Sequence, residues 1–225
     1  MATRSSPNSQ RFFSFAIRIP TCDWNFHLPP RLVRPDPPIP SFPHRLRANG
    51  QSILAAVITY FSFFTILTNI LAALSLTASL WSPNSKLGKF FSRPEIITGI
   101  AINITLVGIS YSLLLRSLWN PEGFQKLADI ALHDLIPVLY IAYWLLFVPK
   151  STLRWRHIPL WMTYPLAYFS YTLIRGALTA RYPYHFIDAA SLGYPRVVLN
   201  ATIILIAFLV VSLAVVAASR RTTHH

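Results

Sequence analysis

Charged residues are scarce in this chain, and acidic ones scarcer. Of 225 residues 12% are charged, with 7 Asp and Glu against 20 Lys and Arg. An ordinary soluble domain has about 25% charged residues. Too few polar side chains remain to cover a water-facing surface, so lipid is the expected solvent for most of the chain. A hydrophobic share of 53% and a mean hydropathy of +0.45 agree with that. Cysteine is nearly missing. Cys22 stands alone, which excludes an intrachain disulfide, a CxxC redox pair and a thiolate zinc site. The sequence also lacks a glycine-rich phosphate loop and an HExxH motif. No metal and no cofactor are expected.

The formal net charge of +13 raises the question of nucleic acid. The placement of the charge argues against it. Seven arginines precede residue 48, and most of the other basic residues flank apolar runs. That is how membrane topology signals are distributed, so no nucleic-acid partner is expected. Residues 1–50 form a basic, proline-rich segment. Its one apolar stretch, from Phe12 to Ile19, is interrupted by Ser14 and Arg18 and is too short for a signal-peptide core. The composition predicts disorder there.

Residues 51–221 read as an all-α polytopic transmembrane bundle. Five apolar runs span about 53–81, 94–118, 127–148, 158–178 and 195–219. Each meets the ~20 residues needed to cross ~30 Å of hydrocarbon. Ser92, Pro94 and Glu95 predict a capped start for the second run, and Pro165 a kink in the fourth. Trp81, Trp119, Trp155 and Trp161 sit at run ends, where interfacial aromatics belong. The sequons at Asn103 and Asn200 fall inside apolar runs and are read as chance.

Let the first span run from face A to face B. Face B then carries Lys86, Lys89, Arg93, Lys150, Arg154, Arg156, Arg220 and Arg221, and its loops hold no acid. Face A carries Lys126, Arg181 and Arg196, offset by Glu122 and Asp188. The positive-inside rule makes face B cytoplasmic. Five spans then leave the arginine-rich tail outside, a conflict that one earlier span would remove.

Polar residues inside the runs outline a site. Thr65 and Asn69 share one helix face, and Ala72 and Ala73 are expected to continue it as a small-residue stripe. Their plainer reading is interhelical hydrogen bonding. His133, Pro137, Tyr140 and Trp144 share another face. An ionisable residue inside a span points to function, although a neutral histidine can also act as polar glue. Asp134 lies about 100° around the helix from His133. It is expected instead to pair with Arg175, with Asp188 as the rival partner. Tyr164, Tyr168, Tyr171 and Arg175 form a third face. Depth sets a condition on any meeting of Thr65 and His133. If the membrane core starts near Phe61, Thr65 lies ~6 Å deep and His133 ~9 Å, at the 1.5 Å rise of a helix.

Several segments resemble a known family. They are Tyr60-Phe61-Ser62-Phe63-Phe64-Thr65-Ile66-Leu67-Thr68-Asn69, His133-Asp134-Leu135-Ile136-Pro137 and Tyr164-Pro165-Leu166-Ala167-Tyr168. Further along come Tyr171-Thr172-Leu173-Ile174-Arg175-Gly176, Tyr182-Pro183-Tyr184-His185-Phe186-Ile187-Asp188 and Gly193-Tyr194. From Ala48 onward the chain looks like bacterial six-span membrane proteins related to the animal androgen-induced membrane hydrolases. The resemblance implies a bacterial plasma-membrane protein that hydrolyses fatty acid esters of hydroxy fatty acids. By motif position Thr65 would be the nucleophile and His133 the base. Asn69, Tyr168 and Arg175 would complete a substrate-binding site in the half nearest face A, with a membrane lipid or lipid ester as partner. Family members open with a hydrophobic span where this chain has Arg- and Pro-rich sequence, so residues 1–47 are expected to be a mis-started or wrong-frame stand-in for it. The alternative function is a non-enzymatic transporter or lipid-binding protein. No internal repeat supports the transporter.

Overall fold

A computed structural model describes residues 52–118 and 120–221. The tail through residue 51 and Trp119 lie outside the described residues, and with them what the sequence predicts for the tail and for that tryptophan. The chain divides after Ala56, and the bundle is the second unit, from Val57 on. Among the described residues every regular element is helical. They are α1 (Ile53–Tyr60), α2 (Phe64–Trp81), α3 (Lys86–Phe91), α4 (Pro94–Leu118), α5 (Gly123–Phe147), α6 (Ile158–Thr179), α7 (Ala189–Leu192) and α8 (Tyr194–Arg221).

Four of these, α2, α4, α5 and α8, are long and apolar enough to cross a membrane. The expected fourth run, now α6, is not among them. It has the length, 22 residues, but Tyr164, Tyr168, Tyr171, Thr172 and Arg175 dilute its hydropathy. The first run also differs from expectation, because residues 61–63 break it into α1 and α2. The Ser62 hydroxyl donates to its own turn at the Ile58 carbonyl (2.6 Å), a bond that loosens helices. The backbone at the break is then held from α6. Tyr168 donates to the Ser62 carbonyl (2.9 Å), and the Tyr171 and Ser62 hydroxyls share a bond of 2.8 Å.

Burial sorts the helices. α4 is central, with 61% of its most apolar window inside the protein, against 11% for α5 and 17% for α8. The outer helices present large apolar side chains such as Leu146 (76% exposed), as lipid-facing surfaces do. Lipid supplies no hydrophobic force between helices, so contacts rely on small residues and interhelical hydrogen bonds. α2 accordingly buries Thr65, Thr68, Asn69, Ala72, Ser75 and Ala78. Ala73, expected on that stripe, points outward, since eight residues overshoot two helical turns. Ser75 bonds Tyr140 of α5 (2.7 Å), Thr68 bonds Tyr164 of α6 (3.2 Å), and Trp144 of α5 donates to Thr98 of α4 (2.9 Å).

Two local expectations change. α4 starts at Pro94 with Arg93 in the cap position and no side-chain cap, while Ser92 closes α3. Trp161 is no interfacial residue. It is 3% exposed, stacks where Gly99 leaves room and donates to the Glu95 carbonyl (2.7 Å). Trp81, by contrast, is exposed as expected.

The α1–α2 to α6 seam carries a prediction. A double-mutant cycle on Ser62→Ala and Tyr171→Phe should give a coupling of about 0.6 kcal/mol, the mean for interhelical hydrogen bonds in membrane proteins. Unfolding in detergent micelles reads it, and a coupling of zero would mean the two hydroxyls do not bond.

Candidate functional site

The candidate site is built where two helices widen. α4 passes into a π-helical turn at Tyr111–Leu115, and α5 contains another at Ala131–Leu135. Such turns cluster at functional positions. The α5 widening has a local cause. Pro137 has no N–H for the His133 carbonyl and its ring crowds that oxygen. Gly108 of α4 accommodates the displaced carbonyl, since a Cβ there would sit 3.1 Å from it.

The widened turns place Tyr111 against His133, with ring centroids 3.8 Å apart and nearly parallel. Asp129 ties the two together. Its Oδ2 accepts from the Tyr111 hydroxyl, and its Oδ1 lies 3.1 Å from His133 Nδ1. His133 Nδ1 is also 3.0 Å from the Asp129 carbonyl. With Nδ1 donating, the neutral ring keeps Nε2 as its proton acceptor. Both side chains of this contact are 14% exposed.

Thr65 stands in the first turn of α2, 8% exposed. Its Oγ1 is 3.4 Å from the Tyr184 hydroxyl. Tyr184 belongs to the loop before α7, and burial raises its phenol above the ordinary range, so it stays a neutral donor. Asn69 links α2 to the His133 turn, with Nδ2 donating to the Thr65 carbonyl (2.8 Å) and the Leu132 carbonyl (3.3 Å). Its buried Oδ1 has no partner. Asn69, one turn after Thr65, is thus the residue of α2 that meets the His133 turn.

A cavity of about 50 Å³ adjoins these groups, and Thr65, Tyr111, Tyr168 and Tyr184 are among its lining residues. His133 is not among them. The cavity therefore brings together Thr65 and Tyr168 of the expected set, Asn69 joins through the backbone, and His133 stands beside it through Tyr111. Arg175 lies apart. It donates to the Arg181 carbonyl (3.1 Å) and to Thr59 (3.1 Å).

The expected Arg175–Asp134 pair is absent, and this is a correction. Asp134 pairs with Arg116 at the end of α4, both partly exposed. A residue 100° from His133 on α5 faces the α4 terminus, whereas Arg175 faces α1. The rival Asp188 is engaged too, with Oδ1 accepting from the backbone N–H of Ala190 (2.9 Å) and Ser191 (3.2 Å). Among the described residues no group of three His, Cys, Asp or Glu could hold a metal.

Sequence reasoning missed Asp129, Tyr111 and Tyr184. Asp129 had a signal, four residues before His133 on the same helix face. Tyr111 had none and Tyr184 stood only in a motif of the resemblance, since tertiary packing alone brings them to the site. No family model fits the chain, and no curated protein or solved structure matches it.

Proposed function

We propose that this is a five-span membrane protein of the bacterial plasma membrane that hydrolyses lipid esters at Thr65. Asp129 beside His133 carries the reading. A base needs a ring held in one tautomer, and a carboxylate on Nδ1 does that in many hydrolytic sites. Thr65 Oγ attacks the ester carbonyl as His133 Nε2 takes its proton. The tetrahedral intermediate collapses, and the departing alkoxide takes that proton and leaves as an alcohol. Water, deprotonated by the same histidine, then releases the acid and frees Thr65. The 50 Å³ beside Thr65 is room for about one or two waters. A lipid must therefore part the helices, entering sideways from the bilayer and bringing Nε2 within reach of Thr65.

The fifth span is α6. In support, its tyrosines and Arg175 turn toward α1 and α2, while Ile174 and Leu178 face outward. Loops 82–93 and 149–157 are then cytoplasmic. In a Cys22→Ser background, cysteines at Ser85 and Ser191 should label from opposite sides, and labelling from one side would end this topology.

A second reading, a lipid-binding or transport protein without chemistry, draws on the Thr65 hydroxyl contacting Tyr184 and on His133 standing outside the cavity lining. A hydroxyl-directed lipid phosphonate separates the two. Covalent mass added at Thr65, and missing in Thr65→Ala, is the expected result. Reversible lipid binding without an adduct would favour the second reading.

A further inference from the structure

A second and larger cavity, about 180 Å³, lies between α2, α3, α4 and α6 and runs from Thr68, one turn past Thr65, toward α3. An engineered apolar cavity of about 150 Å³ is enough to take benzene. Leu71, Phe90, Ile96, Ile100 and Leu160 line it. Most polar groups of its wall are engaged with each other. Thr68 bonds Tyr164 (3.2 Å), the Asn103 amide donates to the Gly99 carbonyl (2.7 Å), and the Glu95 carbonyl accepts from Trp161. Apart from Asn103 Oδ1, which is buried without a partner, and the Glu95 carboxylate, what the wall offers an occupant is carbon.

The residues that flank this lining in the sequence, and so form its rim, have the opposite character. Lys86 and Lys89 precede Phe90 on α3, Arg93 leads into α4, and Arg156 lies just before α6. All four are exposed, and none has an ion-pair partner among the described residues. Glu95 is the one acid near this rim, since loops 82–93 and 149–157 contain none. Arg154, two residues before Arg156, is exposed as well, and two further basic groups at this end are otherwise placed. Lys150 caps the last turn of α5 at the Trp144 carbonyl (2.8 Å), and Arg220 lies over the Trp155 ring.

An apolar cavity under a cationic rim, at the end of a membrane bundle, is complementary to one class of molecule: an amphiphile with an anionic head and a hydrocarbon tail. We propose that this end is a binding site for an anionic phospholipid of the bilayer. Its phosphate lies over Lys89 and Arg93, supported by Lys86 and Arg156, and the start of one acyl chain fills the cavity. The charge selects anionic over zwitterionic lipid, and the cavity makes it a defined site rather than a diffuse attraction. The site is separate from Thr65 and does not depend on any hydrolysis there.

Native mass spectrometry of the full chain released from detergent micelles tests this, using phosphatidylglycerol, phosphatidylcholine and soluble glycerol phosphate as probes. Phosphatidylglycerol should be retained about tenfold more tightly than phosphatidylcholine, and millimolar glycerol phosphate should not displace it. Lys89→Gln with Arg93→Gln should remove that preference, while Lys126→Gln with Arg196→Gln, at the other end, should keep it. Leu160→Trp, at a half-exposed position on the cavity wall, should weaken retention of phosphatidylglycerol at unchanged rim charge, with Tm confirming the fold. Equal retention of the two lipids, indifference to the rim pair, unchanged retention in Leu160→Trp, or displacement by glycerol phosphate would each overturn the proposal.

Discussion

Replacing Thr65 with alanine should lower lipid-ester hydrolysis by about a thousandfold or more, because the covalent route disappears with the hydroxyl. The fold should survive. Among the described residues the one side-chain bond lost is the long one to Tyr184, at 3.4 Å, and such bonds in membrane bundles average about 0.6 kcal/mol. A second substitution probes the base without emptying its place. Asp129→Asn keeps the shape beside Tyr111 and His133 but removes the charge that holds His133 Nδ1–H. By analogy with other carboxylate–histidine pairs it should reduce turnover by up to about 10⁴ while changing KM little. Initial rates on a lipid ester in micelles, with Tm measured alongside, give the result. A folded Thr65→Ala protein with full activity would eliminate threonine catalysis and require another nucleophile, whereas no hydrolysis by the unmodified chain would favour the lipid-binding reading.

The largest effect on stability is expected at Trp161. The indole is 3% exposed, rests on the glycine face of α4 at Gly99 and donates to the Glu95 carbonyl. A Cβ at Gly99 would approach its ring to 2.7 Å, a measure of how closely α4 and α6 meet there. Truncating a buried tryptophan to alanine costs about 3–5 kcal/mol, and Trp161→Ala should fall in that range because the cavity it leaves is walled by two helices. Trp161→Phe retains most of the ring and loses the N–H donor, for a cost nearer about 1 kcal/mol. Unfolding in mixed micelles distinguishes the two. A loss under about 1 kcal/mol for the alanine variant would mean that α4 and α6 do not pack through this residue.

The order in which these elements became readable has a physical basis. Apolar runs of membrane length are visible because lipid leaves no other solution for the backbone than helices that satisfy their own hydrogen bonds. Four such helices follow from composition. The fourth run, at 158–178, is harder. Its tyrosines read as polar dilution until the seam with Ser62 and Thr68 shows where the hydroxyls go. The break at residues 61–63 sits inside an unbroken apolar run, where neither glycine nor proline marks it, and it depends on bonds supplied by α6.

The same division holds at the candidate site. The sequence alone determined that the chain is helical and apolar and that Thr65 and Asn69 share a face, because helical spacing is a local property, and the missed aspartate one turn before His133 was open to the same reasoning. Which long side chains meet is not local. Asp134 reaches Arg116 rather than Arg175, Tyr184 comes to Thr65 from a loop 119 residues away, and Tyr111 stacks on His133 across two π-helical turns. Each of those contacts depends on how one helix is rotated and raised against another. Only close packing around Gly99 and Gly108, and the hydrogen bonds that buried polar groups must find, set that rotation and height.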